Sequence, residues 1–286
     1  MFTYSKLYNY LRTDFDSILE KFTKHGSLPY NIRMSYTDCH IHLAQTTGWE
    51  PLAGTIFPVC ASAYTIQDYE KTEQIASRYN TEQKKVCLSF GIHPQITEDN
   101  LLDFLNGLLK ENRLDAVGEI GFDFYKKEDV ANADTQEYFW NEQLALAVNY
   151  KKPVIIHCRK ALPKLFTYTD KMKNLPAVVF HSWNGSLTEA DSMLKKGINA
   201  YFSIGKQVLN GNKKVIEAAA MMPVERLLTE TDAPYQTLKN ETQTTAADVM
   251  KVCKKIAELR QTDEEELADS VYWNFCSAFS ISGIRS

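Results

Sequence analysis

Histidine and acidic residues in this sequence recur at the ends of short apolar segments. Five of the six histidines lie there, and one glutamate and one aspartate occupy the same kind of position. An apolar, β-branched run of about four to eight residues is typical of a buried strand. The positions are His40, His42, His93, Glu119, His157, His181 and Asp232. Imidazole and carboxylate groups are common ligands of divalent metals, so their convergence would form a metal site with several ligands.

The first of these motifs alternates polar and apolar residues, Asp38-Cys39-His40-Ile41-His42. Because successive strand residues point to opposite faces, Asp38, His40 and His42 are predicted to share one face. Cys39 and Ile41 are predicted to face a layer of helices. Two histidines at this spacing can share a metal, although an isolated pair can also arise without one.

Three further positions have a structural as well as a metal-binding interpretation. A buried Glu119 is costly unless it is paired with a cation, so it either bridges metals or pairs with Arg or Lys. Gly118 and Gly121 flank its Glu-Ile pair and permit close backbone approach. His157 and His181 each follow four apolar residues, and each taken alone could be a core histidine with satisfied hydrogen bonds.

Arg159, Asp232 and His93 are the candidates for contact with substrate or water. Arg159 lies two residues beyond His157, on the same strand face, and a guanidinium suits bidentate phosphate recognition; the alternative is a surface ion pair. Asp232 closes the last strand just before Ala233-Pro234, where a carboxylate can ligate a metal and accept a proton from bound water. We predict that His93 contacts substrate or supports a ligand and does not itself bind metal.

These residues require strands that alternate with helices. Strand-like runs occur at 36–42, 55–61, 86–92, 115–120, 153–158, 177–182, 198–204 and 226–231. Helical patterns occur at 66–79, 98–110, 135–150, 160–173, 187–196, 212–221, 245–260 and 263–279, the last with Asp263 as a cap. The alternation fits an open doubly wound sheet or a closed (β/α)8 barrel. Because the reactive residues end six different strands, a barrel with its site at the carboxyl ends is favoured.

Length and composition set further limits. The 286 residues are predicted to form an N-terminal extension over 1–34, helical in part at 13–24, and one barrel over 35–286. A net charge of −4 argues against a dedicated nucleic-acid-binding surface, although bound cations could still serve a nucleic-acid substrate. Scattered cysteines, and the lack of a transmembrane run or signal-like segment, favour a cytoplasmic protein with no membrane association.

Six motifs in this order resemble the TatD family of metal-dependent deoxyribonucleases. The chain carries DCHIHL for the DxHxH signature, GIHPQ for GxHP, GEIGFDF for GEIGLD[YF], PVIIHCRKA for PVxxHxR, HSWNGS for HCFSG and ETDAPY for ETDAP. The likeness runs from about residue 36 to 280. It implies a (β/α)8 barrel of the metal-dependent hydrolase type.

The resemblance also implies which residues do what. The metal ligands would be His40, His42, Glu119, His157, His181 and Asp232. They would hold two divalent ions (Mg, Mn or Zn), with Glu119 as the bridge. Metal-activated water would hydrolyse a phosphodiester, Asp232 would handle the proton, and Arg159 and His93 would hold the phosphate. The implied substrate is single-stranded or nicked DNA, with no obligate protein partner evident.

Two departures from the family pattern bear on the substrate. HCFSG has become His181-Ser182-Trp183-Asn184-Gly185, and Trp183 could either stack on a base or pack against loops. The usual Arg-Asn-Glu-Pro stretch after ETDAP is replaced by residues 236–242. Two other functions therefore stay open. One is a hydrolase of a small amide, lactone or phosphoester on the same dinuclear site, and the other is a binding protein that retains the fold.

Overall fold

The computed structural model describes residues 35–80, 86–96, 98 and 100–281, all within one compact unit. The predicted helix at 13–24 lies outside the described residues, so the division at residues 34 and 35 stays a prediction. Among the described helices, none has both the length and the apolar composition needed to cross a bilayer.

Eight strands form one parallel sheet in which each strand pairs with the next along the chain. They are β1 (Tyr36–Ile41), β2 (Ile56–Ala63), β3 (Val86–Phe90), β4 (Ala116–Asp123), β5 (Val154–Arg159), β6 (Val178–Phe180), β7 (Ala200–Ile204) and β8 (Leu227–Thr229). Backbone hydrogen bonds from Asp232 N to His40 O and from His42 N to Ala233 O join the segment after β8 to β1, each at 2.9 Å. The predicted (β/α)8 barrel is confirmed.

Helices cover the outside of the sheet and follow the predicted positions closely. They are α1 (Ile66–Tyr79), α2 (Asn100–Lys110), α3 (Lys127–Ala131), α4 (Ala133–Asn149), α5 (Leu162–Phe166), α6 (Thr169–Met172), α7 (Leu187–Lys195), α8 (Lys213–Met221), α9 (Asp248–Arg260) and α10 (Glu264–Phe279). Asp263 caps α10 as predicted, because its side chain accepts from the backbone N–H groups of Glu265 and Glu266.

The helix predicted at 160–173 is divided into α5 and α6. Tyr168, between them, leaves helical geometry with φ −104° and ψ 7°. Its ring packs instead near Phe122 and Trp140, with centroids 6.0 and 5.5 Å away. Aromatic packing on the barrel wall therefore outweighs the helical pattern at this position.

The side chain of Cys39 lies inside the barrel, which corrects one prediction. Cys39 Sγ lies 2.9 Å from Ser203 Oγ on β7, a strand that does not neighbour β1, so the side chain reaches across the barrel. The sequence predicted that Cys39 faces the helices, and this is wrong. The register of β1 shifts on both sides of Asp38, so strict alternation does not hold there.

Candidate metal centre

The seven predicted histidine and acidic residues gather at the carboxyl ends of the strands. Six of them line a cavity of about 480 Å³, and His40 is fully buried beside it. Ligand atoms lie within 4.8 Å of one another in three groups. The groups are His40 with His42 and Asp232, His40 with Glu119 and His181, and His93 with Glu119 and His157. The barrel thus brings together residues from both ends of the described sequence.

His40 provides the test of whether these residues suit a metal ion. Ser62 Oγ lies 3.1 Å from its Nδ1, which holds the ring in place. Its Nε2 is buried without a hydrogen-bond partner, 3.4 Å from Glu119 Oε2 and 3.4 Å from Asp232 Oδ1. A buried imidazole nitrogen without a partner is costly, and one aimed between two carboxylates suits a divalent cation. The donor set therefore fits a metal.

Glu119 occupies the centre of the cluster. Its carboxylate lies 2.6 Å from His157 Nδ1, 3.4 Å from His181 Nε2 and 3.4 Å from His40 Nε2. Burial alone would raise the pKa of Glu119, but the surrounding imidazoles hold that pKa well below its ordinary value. Among the described residues its close partners are imidazoles, so the alternative interpretation of a pair with Arg or Lys is wrong. A carboxylate shared in this way can contact two cations.

The backbone around Glu119 depends on glycine, as predicted. Gly121 has φ +143°, and a Cβ on it would lie 2.0 Å from the carbonyl oxygen of His157. A Cβ on Gly118 would lie 2.6 Å from Cβ of Ile155. Only glycine at these positions lets β4 approach β5 closely enough to bring Glu119 and His157 together.

Asp123 is a member of the site that the sequence motifs did not reveal. Its buried carboxylate lies 3.1 Å from His157 Nε2, on the side of the ring opposite Glu119. It also accepts hydrogen bonds from Gln95 Nε2 and from the backbone of Tyr125, at 2.8 and 2.9 Å. Burial would raise the pKa of Asp123, but the His157 contact and the Tyr125 N–H outweigh it and lower the pKa to about 2. Asp123 ends β4, so the rule that found the other residues could have found it.

Glu230 was missed in the same way. Its carboxylate is fully buried and lies 3.1 Å from His181 Nδ1. This contact leaves His181 Nε2 toward Glu119 at 3.4 Å and toward Asp232 at 4.0 Å. An acidic partner on the far nitrogen of a ligating histidine fixes the ring and raises its basicity. Glu230 lies two residues before Asp232, and that spacing was its signal in the sequence.

Asp232 lies between the two histidines of the first motif. Its Oδ1 is 3.4 Å from His40 Nε2 and 3.4 Å from His42 Nε2. Its Oδ2 accepts a hydrogen bond of 2.9 Å from Gln236 Nε2, in the segment that departs from the family pattern. Burial opposes ionisation, but the nearby imidazoles of His181 and His40 keep the pKa of Asp232 far below its usual range. The carboxylate is therefore ionised and faces the cluster.

His93 and Arg159 both line the cavity. His93 Nε2 is 3.3 Å from His157 Nδ1 and 3.7 Å from Glu119, so its ring adjoins the cluster. That His93 contacts substrate and does not itself bind metal stays a prediction. Burial lowers the pKa of His93 to about 4, so its ring is neutral near pH 7. Arg159 Nη1 lies 3.4 Å from Asp123, and its guanidinium lies 4.2 Å from the ring centroid of Tyr125.

Trp183 does not face the cavity. It is buried, and its ring packs edge-to-face on Phe180 and Phe202 at 5.5 and 4.8 Å. A Cβ on Gly185 would lie 2.4 Å from this ring. Of the two interpretations left open by the sequence, stacking on a base is therefore wrong, and the ring packs mainly on residues of β6 and β7 rather than on loops.

An eight-stranded parallel barrel with imidazoles and carboxylates at its carboxyl-terminal end defines a class of protein, the metal-dependent hydrolase barrels. A family model described as TatD related DNase matches residues 37–280. The chain belongs to this family. The resemblance inferred from the six motifs is confirmed, as is the predicted enzyme class.

Individual relatives agree with this assignment. An uncharacterized metal-dependent hydrolase of Methanocaldococcus jannaschii is 29% identical over 210 residues, which are 72% of this chain and 78% of that protein. A 3'-5' ssDNA/RNA exonuclease TatD of Cronobacter sakazakii is 32% identical over 179 residues, 60% of this chain and 64% of that protein. The crystal structure of the TatD homologue YJJV from Escherichia coli shares the fold, with a TM-score of 0.77, 24% identity, and coverage of 88% of this chain and 100% of that one.

Proposed function

We propose that this protein is a DNase-type phosphodiesterase that hydrolyses nucleic acid strands with two divalent ions. The observation that carries the proposal is the position of His40 Nε2, which is buried without a hydrogen-bond partner and lies 3.4 Å from each of two carboxylates. The exonuclease names of several relatives support a single-stranded nucleic acid as the substrate. The proposed location is the cytoplasm, in keeping with the scattered positions of the six cysteines in the sequence.

The residues that would hold the ions are the six that the family resemblance implies, and each of them occurs in at least one of the three ligand groups. His40, His42 and Asp232 would form one half of the site, and His157 and His181 the other. Glu119, which lies within 3.4 Å of a histidine in each half, would be shared. Two divalent ions of this kind supply Lewis acidity, which lowers the pKa of water and neutralises charge on a phosphate. Mixed nitrogen and oxygen donors suit Mn or Zn, and Mg is the third candidate.

The protein's own groups would then perform three tasks. Asp232, ionised and directed into the cluster, would accept the proton of the attacking water. Arg159 would bind a nonbridging phosphate oxygen with its guanidinium, a group suited to phosphate geometry. His93, neutral near pH 7, would donate one hydrogen bond to the phosphate. Asp123 and Glu230 would keep the rings of His157 and His181 in the orientation that ligation requires.

The alternative substrate is a small amide, lactone or phosphoester on the same site. A cavity of about 480 Å³ is within the range of roughly 300–1,000 Å³ that is usual for small ligands, so its size admits this alternative. The altered segment after Pro234 also contributes Gln236 to the cavity wall. The two substrates are separated by a direct assay.

The test uses metal-stripped protein supplied again with Mg, Mn or Zn. Single-stranded DNA and RNA are assayed beside small phosphoesters, esters and amides. We expect metal-dependent cleavage of the nucleic acids that is lost in His157→Ala and Asp232→Asn, both of which should keep the fold. Asp170→Asn, an exposed carboxylate on α6, is the matched control and should retain activity.

Each other outcome has a definite meaning. Turnover of a small ester or amide without cleavage of nucleic acid would keep the metal site and reject the nuclease function. Metal binding without any hydrolysis would favour the binding protein that retains the fold. Wild-type activity in either ligand variant under every metal would reject the mechanism.

A further inference from the structure

Two tyrosines form one wall of the cavity directly beside the proposed metal site. Tyr64 follows β2 and Tyr235 follows β8, and both line the cavity with His42. Each ring packs edge-to-face on His42. The centroid distance is 5.7 Å and the interplanar angle 70° for Tyr64, and they are 5.1 Å and 81° for Tyr235. Their hydroxyl oxygens are 2.9 Å apart. We refer to these two residues as the tyrosine pair.

A hydrogen-bond network fixes the orientation of the tyrosine pair. Gln45 Nε2 donates to Tyr64 Oη at 2.8 Å and to Asp68 Oδ2 at 2.9 Å. The hydroxyl of Tyr235 donates to Gln45 Oε1. Asp68 belongs to the first turn of α1, which Thr65 caps. Three loops and a helix therefore hold the two rings, so a ligand that contacts them would lose little free energy by ordering them.

The arrangement shows which part of each tyrosine is available to a ligand. Both hydroxyls are engaged with each other and with Gln45, yet Tyr235 keeps 41% of its surface exposed. The remaining available group is the ring. The tyrosine pair thus presents aromatic surface on a cavity wall whose other side chains are mostly polar.

We propose that the tyrosine pair is the platform on which an unpaired nucleobase stacks while its phosphate lies at the metal centre. This inference rests on the proposed function, which places the phosphate at the metal centre that His42 and Asp232 help to form. Every base has an aromatic face, so such a platform binds without strong sequence preference. A base that is paired and stacked in a duplex is not free to make this contact, and the platform therefore selects single strands.

The first experiment compares two substrates of equal length and charge. One is a short oligothymidylate, and the other has an abasic tetrahydrofuran residue at every position. Base–aromatic stacking predicts a kcat/KM roughly 5- to 150-fold higher for the oligothymidylate. Tyr235→Ala and Tyr64→Ala should lower kcat/KM for the oligothymidylate by a much larger factor than for the abasic substrate, whereas Tyr235→Phe, which keeps the ring, should retain most of the preference.

The control is Tyr138→Ala, which removes a tyrosine of similar exposure (52%) from α4, outside the cavity lining. It should leave both substrates unaffected. Equal kcat/KM of the wild type for the two substrates would overturn the platform. An equal loss on both substrates in Tyr235→Ala would also overturn it, because a merely structural tyrosine would act on both.

A binding measurement separates this inference from the proposed function. Thymidine 5'-monophosphate and 2-deoxyribose 5-phosphate are titrated into the metal-loaded protein by calorimetry, with no turnover required. The platform predicts tighter binding of the nucleotide, by roughly 5- to 150-fold, and loss of that difference in Tyr235→Ala. Equal affinity would reject the platform even if the protein cleaves DNA. A base-dependent difference without any hydrolysis would reject only the phosphodiesterase function.

Discussion

Asp123 Oδ2 and His157 Nε2 lie 3.1 Å apart, on neighbouring strands of the barrel. The contact leaves Nδ1, the other nitrogen of the ring, 2.6 Å from Glu119. The His157 ring thus lies between two carboxylates, one facing each ring nitrogen. An acidic partner on the outer nitrogen determines which tautomer a histidine presents to a metal, and replacing such a partner usually costs about 10–100-fold in affinity or activity.

Asp123→Asn should therefore lower both kcat and metal affinity by about 10–100-fold without unfolding the protein. The asparagine amide can present N–H donors at a position where His157 Nε2, itself a donor, needs an acceptor. Steady-state assays and metal titrations by calorimetry measure the two effects, with circular dichroism as the check on the fold. An unchanged metal affinity would show that Asp123 does not orient His157.

The pH dependence of activity should not contain a titration of His93 between pH 5 and 8. Burial lowers the pKa of His93 to about 4, so the ring binds a proton only as the pH falls toward that value. His93→Asn should reduce kcat by a similar factor at every pH in this range and leave the shape of the profile unchanged. If the acidic limb of the pH–kcat profile moves in the variant, the His93 ring ionises between pH 5 and 8 and is not a neutral donor.

The stability of the protein should depend on Lys206, a buried lysine that pairs with the segment after Pro234. Lys206 has 1% of its side chain exposed, lies 3.2 Å from Asp248 and also pairs with Glu241. Removing one partner of a buried pair leaves uncompensated charge, so Lys206→Met should lower the free energy of unfolding by ~3–5 kcal/mol. Lys251 pairs with the same Asp248 but is 65% exposed, and Lys251→Met should cost less than ~1 kcal/mol. Urea unfolding measures both, and equal losses would contradict the prediction.

The packing of the Trp183 indole should require glycine at position 185. A Cβ at this position would lie 2.4 Å from the ring, so Gly185→Ala should destabilise the protein by ~1–3 kcal/mol. Gly107 in α2 has nothing within 4 Å of its Cβ position, and Gly107→Ala should stabilise the helix by up to ~1 kcal/mol. Thermal unfolding of the two variants gives opposite shifts if the contact with Trp183 is the cause.

Much of the site could be predicted because its signals are local. A buried strand is a short apolar run, and in a barrel every such strand ends on the same side. The positions of His40, Glu119, His157, His181 and Asp232 follow from that rule. Asp123 and Glu230 obey it as well, but their roles depend on the ring nitrogens that they face, and those are set by contacts across 34 and 49 residues of sequence.

Sequence by itself determined the order of the strands, the barrel and the residue types at its carboxyl-terminal end, since each depends on periodicity within a few neighbouring residues. Tertiary structure alone decided that β1 shifts its register and turns Cys39 inward, that Trp183 is buried, and that Tyr64 and Tyr235 meet across 171 residues. The physical reason is barrel closure: it brings β8 beside β1, and packing between distant segments then selects among side-chain orientations that local patterns leave equivalent.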